Sequence, residues 1–169
     1  LAATASAYRF ANNEEVELSQ LRRSRRDAAL AACPAGEPIL VINDVSILDY
    51  SQHNSKADRR AIGDHRGMGY EYVCNLGVCL SSGRHLGVLH DSVISSARPD
   101  DADEIAYHAD ERFASLSQTD PTRLESNHKH ILNCHFAHIA KAAPGHPLIL
   151  VADREFDDYF IFAGCRRQQ

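Results

Sequence analysis

The chain has 169 residues, 44% of them hydrophobic and 24% charged, with a formal net charge of −5. That size and apolar content suit one folded domain, or one domain with part of another. They exclude a disordered, collagen-like or helical membrane-spanning chain, because the longest apolar runs are only a few residues. Net acidity, taken alone, argues against a nucleic-acid partner, whose contact surfaces are basic. The acidity is local, however. Residues 91–111 hold seven Asp and Glu against Arg98, a charge of −6 that leaves +1 for everything else. Arginine outnumbers lysine 15 to 3, an asymmetry that phosphate binding or nucleotide bias in the gene would each produce. Five cysteines without a Cys-x-x-Cys pair predict reduced, intracellular thiols. Leu1–Ala7 lacks the basic and long apolar regions of a signal peptide, so a cytoplasmic location is expected. The chain begins at Leu1 and its only methionine is Met68, which points to a piece of a longer reading frame or to trimming.

Residues 1–32 read as helical, rich in Ala, Leu, Glu and Arg without Pro or Gly, with Asn12-Asn13 marking a break before a second helix. That second helix carries the basic run Arg22, Arg23, Arg25 and Arg26, although nearby acids leave residues 1–32 at only +1. Pro34-Ala-Gly-Glu-Pro38 is a boundary, dividing a helical 1–32 from a unit at 33–169. Ile39-Leu-Val-Ile42, followed by Asn43-Asp44, is a short apolar run without alternation, as expected of a strand buried on both faces. Residues 46–68 are predicted to be a long loop. Tyr70–Leu80 and Leu86–Ile94 read as a hairpin joined through Ser81-Ser82-Gly83-Arg84. The acidic segment to about Pro121 reads as loop, and a helix is predicted over Leu124–Ala143, stopped by Pro144-Gly145. Leu148-Ile-Leu-Val-Ala152 and Asp153 repeat the pattern of the first strand, and Phe156–Cys165 reads as an amphipathic helix. The predicted class is α/β. Strand, strand, strand, helix, strand, helix is the order of a ribonuclease-H-like core, with strands 1-2-3 antiparallel and strand 4 parallel to strand 1 after a helical crossover.

The two buried-type strands end alike, on Asp44 and Asp153. As parallel neighbours they would set both aspartates at one sheet edge, on strands about 4.8 Å apart, where open α/β sheets bind ligands. Two carboxylates that close repel unless a cation lies between them. Mg²⁺ suits such a pair, because it takes oxygen ligands and leaves positions for water and substrate phosphate. Two ions about 3.5–4 Å apart can activate water and stabilise a leaving 3′ oxygen in phosphodiester cleavage. The competing reading is that each Asp caps a turn.

Several segments carry a family resemblance. Ala7-Tyr8-Arg9-Phe10 with Asn12-Asn13 resembles a segment of the N-terminal DNA-end-binding domain of bacterial cut-and-paste transposases. Val41-Ile-Asn-Asp44-Val-Ser46 with Leu48-Asp-Tyr-Ser51 resembles their first catalytic block, and Ile62-Gly-Asp-His-Arg66-Gly-Met-Gly-Tyr70 their Gly-rich lead-in to strand 2. Leu86-Gly-Val-Leu-His90 resembles strand 3, and Val151-Ala-Asp153-Arg-Glu-Phe-Asp157 the Asp-Arg-Glu-x-Asp block around the second catalytic aspartate. Over nearly its whole length the chain thus resembles the insertion-sequence-four superfamily of Asp-Asp-Glu (DDE) transposases. The resemblance implies Mg²⁺, or Mn²⁺ in its place, on Asp44 and Asp153, with hydrolysis at transposon ends followed by strand transfer into target DNA. It implies double-stranded DNA as partner, a homodimer in the full-length synaptic complex, and residues 1–32 as the end of a DNA-end-binding domain. Arg22, Arg23 and Arg66 become candidate DNA contacts. Arg154, Glu155 and Asp157 match the motif, and salt links fixing the last helix explain them as well as catalysis. The family's third ligand, a Glu in a downstream Tyr-x-x-Arg-x-x-x-Glu motif, is absent from these 169 residues, and Val73 stands where relatives often have His. An inert remnant that only binds DNA or a full-length partner, and a stand-alone ribonuclease-H-like nuclease, are the alternative expectations.

A second constellation, His130, Cys134 and His138, falls at i, i+4 and i+8 on the predicted helix, with ligand types suited to Zn²⁺. Three such residues span about 12 Å, too far to reach one ion. They are expected to be surface or partly buried side chains beside the stripe of Ile131, Leu132, His135, Phe136 and Ile139.

Overall fold

The computed structural model describes residues 2–63, 67–96, 128–157 and 159–167. Arg66, most of the acidic segment and the predicted helix start at 124–127 lie outside the described residues. Two helices come first, α1 (Ala2–Ala11) and α2 (Leu18–Ala31). Strands β1 (Ile39–Asp49), β2 (Arg60–Ile62), β3 (Gly67–Cys79) and β4 (His85–Ile94) follow. Helix α3 (His128–Ala142), strand β5 (Leu148–Val151), a 3₁₀ turn (Arg154–Phe156) and helix α4 (Tyr159–Arg167) complete the described chain. None of these helices is long and apolar enough to cross a membrane.

The protein is a mixed α/β fold built on one mixed sheet. β3 lies at its centre, antiparallel to β1 along one edge. Along its other edge it pairs antiparallel with β2 through Gly67–Gly69 and with β4 through Glu71–Val78. β5 joins the far side of β1 in the one parallel pairing of the described sheet, from Ile39↔Leu148 to Ile42↔Val151. Backbone bonds tie the start of this pairing to both neighbours, with Ile39 N–H donating to Pro147 O at 2.9 Å and Leu80 N–H to Pro38 O at 3.0 Å.

The apolar run predicted as a buried strand becomes the first half of β1, with Ile39 and Val41 fully buried. They pack with Leu89 of β4, with Phe136 and Ile139 of α3, and with Ala29 and Leu30 of α2. The end of α2 therefore shares a core with the sheet. A second cluster joins Val73, Ile94, Ile131 and Cys134, and a third links α3 to α4 through Leu132, Phe156 and Ile161.

Two local expectations change. β1 does not stop at Asp44 but runs on to Asp49, because β3 continues alongside and pairs Val45↔Val73 through Asp49↔Gly69. The predicted loop at 46–68 is thereby shortened at both ends and contains β2. The turn before β2 is stapled by Arg59, whose guanidinium donates to the carbonyls of Tyr50 (2.9 Å), Ser51 (3.2 Å) and Lys56 (2.7 Å). The last predicted helix likewise begins three residues late, after the 3₁₀ turn.

The far end of the β1–β3 ladder depends on Gly69. A Cβ built there would collide with the carbonyl oxygen of Leu48, a backbone atom that cannot swing aside. Gly69→Ala is therefore expected to lower stability by about 1–3 kcal/mol, read from the urea unfolding midpoint. Gly145→Ala, with open space around its Cα, is expected to leave that midpoint unchanged, and equal effects at the two positions would contradict the packing argument.

Candidate functional site

Side chains alternate across a strand, and β1 shows this in its burial. Ile39, Val41 and Asn43 are buried under α3, whereas Asp44 is exposed on the opposite face. The parallel ladder ends at Ile42↔Val151. Asp44 and Asp153 each stand two residues beyond that pair, at equivalent positions past the end of the ladder. Asp153 is also exposed. Its position is fixed from behind, since its carbonyl accepts the Phe156 N–H at 3.2 Å in the 3₁₀ turn, and Phe156 is anchored in the core. Ser46, two residues along the same face of β1, donates its hydroxyl to Asp44 Oδ2 at 3.2 Å. Asp44 is mid-strand rather than at a strand end, and Asp153 follows β5.

The row continues across the sheet. Asp44 is opposite Cys74 on β3, and Cys74 is opposite Asp91 on β4. Asp91 is already satisfied: Arg25 Nη2 lies 2.6 Å and Arg22 Nε 3.2 Å from Oδ1, and the Tyr72 hydroxyl donates to Oδ2 at 2.8 Å. Burial opposes charge on Asp91, but the bonds from Arg25 and Tyr72 and the charges of Arg25 and Arg22 outweigh it. They hold the carboxyl below its usual range. Burial, then the hydrogen bond to Asp91 and its negative charge, push the Tyr72 hydroxyl well up. Arg22, a candidate DNA contact, is therefore committed to Asp91, while Arg23 on the same helix is exposed. Arg66 lies outside the described residues.

A polar seam lies beneath the site, on the face covered by α3. Asn43 Nδ2 donates to Asn75 Oδ1 at 3.1 Å, so Asn75 presents its Nδ2 to His135 Nδ1 at 2.8 Å. The ring proton of His135 is then on Nε2 and donates to Ser92 Oγ at 2.8 Å. Burial, with His90, His138 and Arg22 nearby, holds His135 well below the usual imidazole range, so the ring is neutral. His90 stacks on it with ring centroids 4.3 Å apart.

His130 and Cys134, expected at or near the surface, are each 2% exposed and in contact, Sγ to Nε2 at 3.7 Å. They belong to the core side of α3. Among the described residues no three His, Cys, Asp or Glu gather closely enough to hold a metal. Among the described residues Asp44 and Asp153 offer two exposed carboxylates, a donor type that Mg²⁺ takes together with water and phosphate.

Sequence reading missed Asn75, Ser92 and the Arg25–Asp91 pair. Asp91 was counted into the acidic segment, although its place within Leu86–Ile94 already set it on a strand where an unpaired charge is costly.

Asp91→Asn leaves Arg22 and Arg25 uncompensated and is expected to lower stability at pH 7 by about 2 kcal/mol. Because the folded carboxyl titrates below its unfolded value near 3.9, the wild-type advantage is full above that value. It is lost as pH falls through the lower folded pKa. Urea midpoints of both proteins from pH 7 down to about 2.5 check this, and a difference independent of pH would contradict it. No family model matches the chain, and no curated protein matches it at a significant level.

Proposed function

We propose that this chain is part of a Asp-Asp-Glu (DDE) transposase with a ribonuclease-H-like core, in which Asp44 and Asp153 are the first two carboxylates of a Mg²⁺ (or Mn²⁺) site acting on DNA phosphodiesters. The observation that carries the reading is the parallel β1–β5 register, which sets two exposed aspartates at equivalent positions past Ile42↔Val151. The antiparallel β1–β3–β4 arrangement and the covering helix α3 support the same core. Bound there, the ion supplies Lewis-acid stabilisation of charge developing on the phosphate oxygens.

The chain's own residues hold and orient. Asp44 offers one carboxylate oxygen to Ser46 and keeps the other for the ion. Asp153 is held by the 3₁₀ turn that follows it. Arg23, exposed on α2, and Arg66 are the proposed contacts to double-stranded DNA, and Arg22 acts by fixing α2 on Asp91 rather than by touching phosphate. Residues 1–32 are the proposed end of a DNA-end-binding domain, 33–169 the core, and the complete enzyme a cytoplasmic, nucleoid-associated homodimer on paired transposon ends. The reaction requires a third carboxylate, the family's downstream Glu. Asp91 does not stand in for it, since two arginines hold it two strands from Asp44.

One observation favours a second reading. The absence of any three-ligand cluster among the described residues suits a remnant that binds DNA or a full-length partner without cutting.

Mg²⁺-dependent nicking of supercoiled plasmid, with DNA binding followed by gel shift, tests the two. In a chain extended through the downstream Glu, the proposal expects nicking that falls about 100-fold or more in Asp44→Ala and in Asp153→Ala, with DNA binding retained. Binding without nicking in all three proteins fits the remnant, and nicking that survives both substitutions contradicts the assigned site.

A further inference from the structure

His135 closes a hydrogen-bond chain whose direction is fixed from the backbone. The chain starts at the Cys74 carbonyl, which can only accept, so Asn43 Nδ2, 3.3 Å away, donates to it. The same Nδ2 lies 3.1 Å from Asn75 Oδ1, so Asn75 turns its Nδ2 toward α3. The His90 carbonyl, 3.5 Å from Asn75 Nδ2, favours the same orientation. Asn75 Nδ2 then meets His135 Nδ1 at 2.8 Å, with the amide as donor. A proton on Nδ1 would point at the amide hydrogens. Reversing the amide would set Asn75 Nδ2 against Asn43 Nδ2 and Asn75 Oδ1 against the His90 carbonyl. His135 can therefore keep its place only as the neutral ring.

The groups around the ring also disfavour a charge there. His90 of β4 stacks on it and lies 5.2 Å, centroid to centroid, from His138 of α3. Burial first, then His90, His138 and Arg22 of α2, oppose its protonation. Nearby carboxylates are engaged elsewhere. Asp91 of β4 is held by Arg22, Arg25 and Tyr72. Glu71 of β3 is held by Arg60 at 3.5 Å and by His128 at 3.2 Å. On α3 itself, His130 and Cys134 face each other in the turn before. His135 is 1% exposed and Asn75 fully buried, so water does not reach the ring while α3 lies on the sheet.

We propose that His135 is an acid-sensitive latch: neutral, it fastens α3 to β3 through Asn75 and to β4 through Ser92, and it takes up a proton at Nδ1 only when α3 lifts from the sheet. A freed imidazole titrates near 6.5, whereas the latched ring does not bind a proton there. The open form therefore holds more protons below that pH. The contribution of the latch is complete above about 6.5 and shrinks as pH falls. Each further pH unit lowers the ratio of closed to open protein about tenfold for this one ring. The window lies above the one in which Asp91 titrates, so the two effects separate.

Urea unfolding of the wild type and of His135→Asn, each at about pH 7.5 and about pH 5, tests the latch. The asparagine oxygen can accept from Asn75 in place of Nδ1 but does not titrate. Between the two pH values the wild-type folding constant is expected to fall about 30-fold more than that of the variant. Equal falls overturn the proposal. A second measurement needs only the wild type: imidazole nitrogen shifts by nuclear magnetic resonance, with hydrogen exchange of the α3 amides, as pH is lowered. Nδ1 of His135 is expected to stay unprotonated for as long as the α3 amides stay protected. A His135 ring that gains its second proton near pH 6.5 while α3 remains protected overturns the proposal.

Discussion

The parallel contact between β1 and β5 is the constraint on which the rest of the structure depends. It is only four residue pairs long, yet it joins the antiparallel strands to the α3–β5–α4 half of the fold. Leu148 and Leu150 turn toward the core that holds Ile39 and Val41, so burial on one side drives the pairing and the backbone bonds fix its direction. Past its last pair the two chains diverge. β1 continues along β3, and β5 turns into the 3₁₀ segment. Asp44 and Asp153 stand where the strands part, and both are open to solvent.

Which face Asp44 occupies is decided by the polar seam on the other side. Asn43 and Asn75 are register partners and meet His135 and Ser92 in the buried layer under α3. Sliding β1 by one residue would exchange its faces. Asn43 would then lose its partners and Asp44 would be driven into the core as an unpaired charge. Buried polar groups tolerate few such errors, so the seam specifies register where apolar residues alone, all of similar shape, would do so weakly. The neutral His135, accepting at Nδ1 and donating at Nε2, completes a chain from β1 through β3 to α3 and β4.

Much of the strand framework was legible because its signals are local. Ile39–Ile42 and Leu148–Val151 are unalternating apolar runs, and they do lie side by side. Ser81–Arg84 marked the β3–β4 turn, and Pro144-Gly145 marked the end of α3. What was not legible depended on long-range partners. β1 runs past Asp44 only because β3 is there to pair with it, and β2 is too short to carry a periodic signal. The burial of His130 and Cys134 reflects how deeply α3 sits on the sheet, which spacing along one helix does not reveal. Asp91 read as part of an acidic stretch because its arginines lie far away in sequence, on α2. Of the candidate site, the two aspartates followed from matching strand ends. The engagement of Arg22 and the support from Ser46 required the fold.

Asp44 and Asp153 are proposed to act as one cation site. Mn²⁺ binding, followed by loss of the free-ion electron paramagnetic resonance signal and competed by Mg²⁺, tests it most directly. Asp44→Asn and Asp153→Asn change exposed side chains without changing their shape, so both variants are expected to fold. The wild type is expected to bind Mn²⁺, and either variant to lose that binding. Binding retained in both variants, or lost in only one, would contradict a shared site.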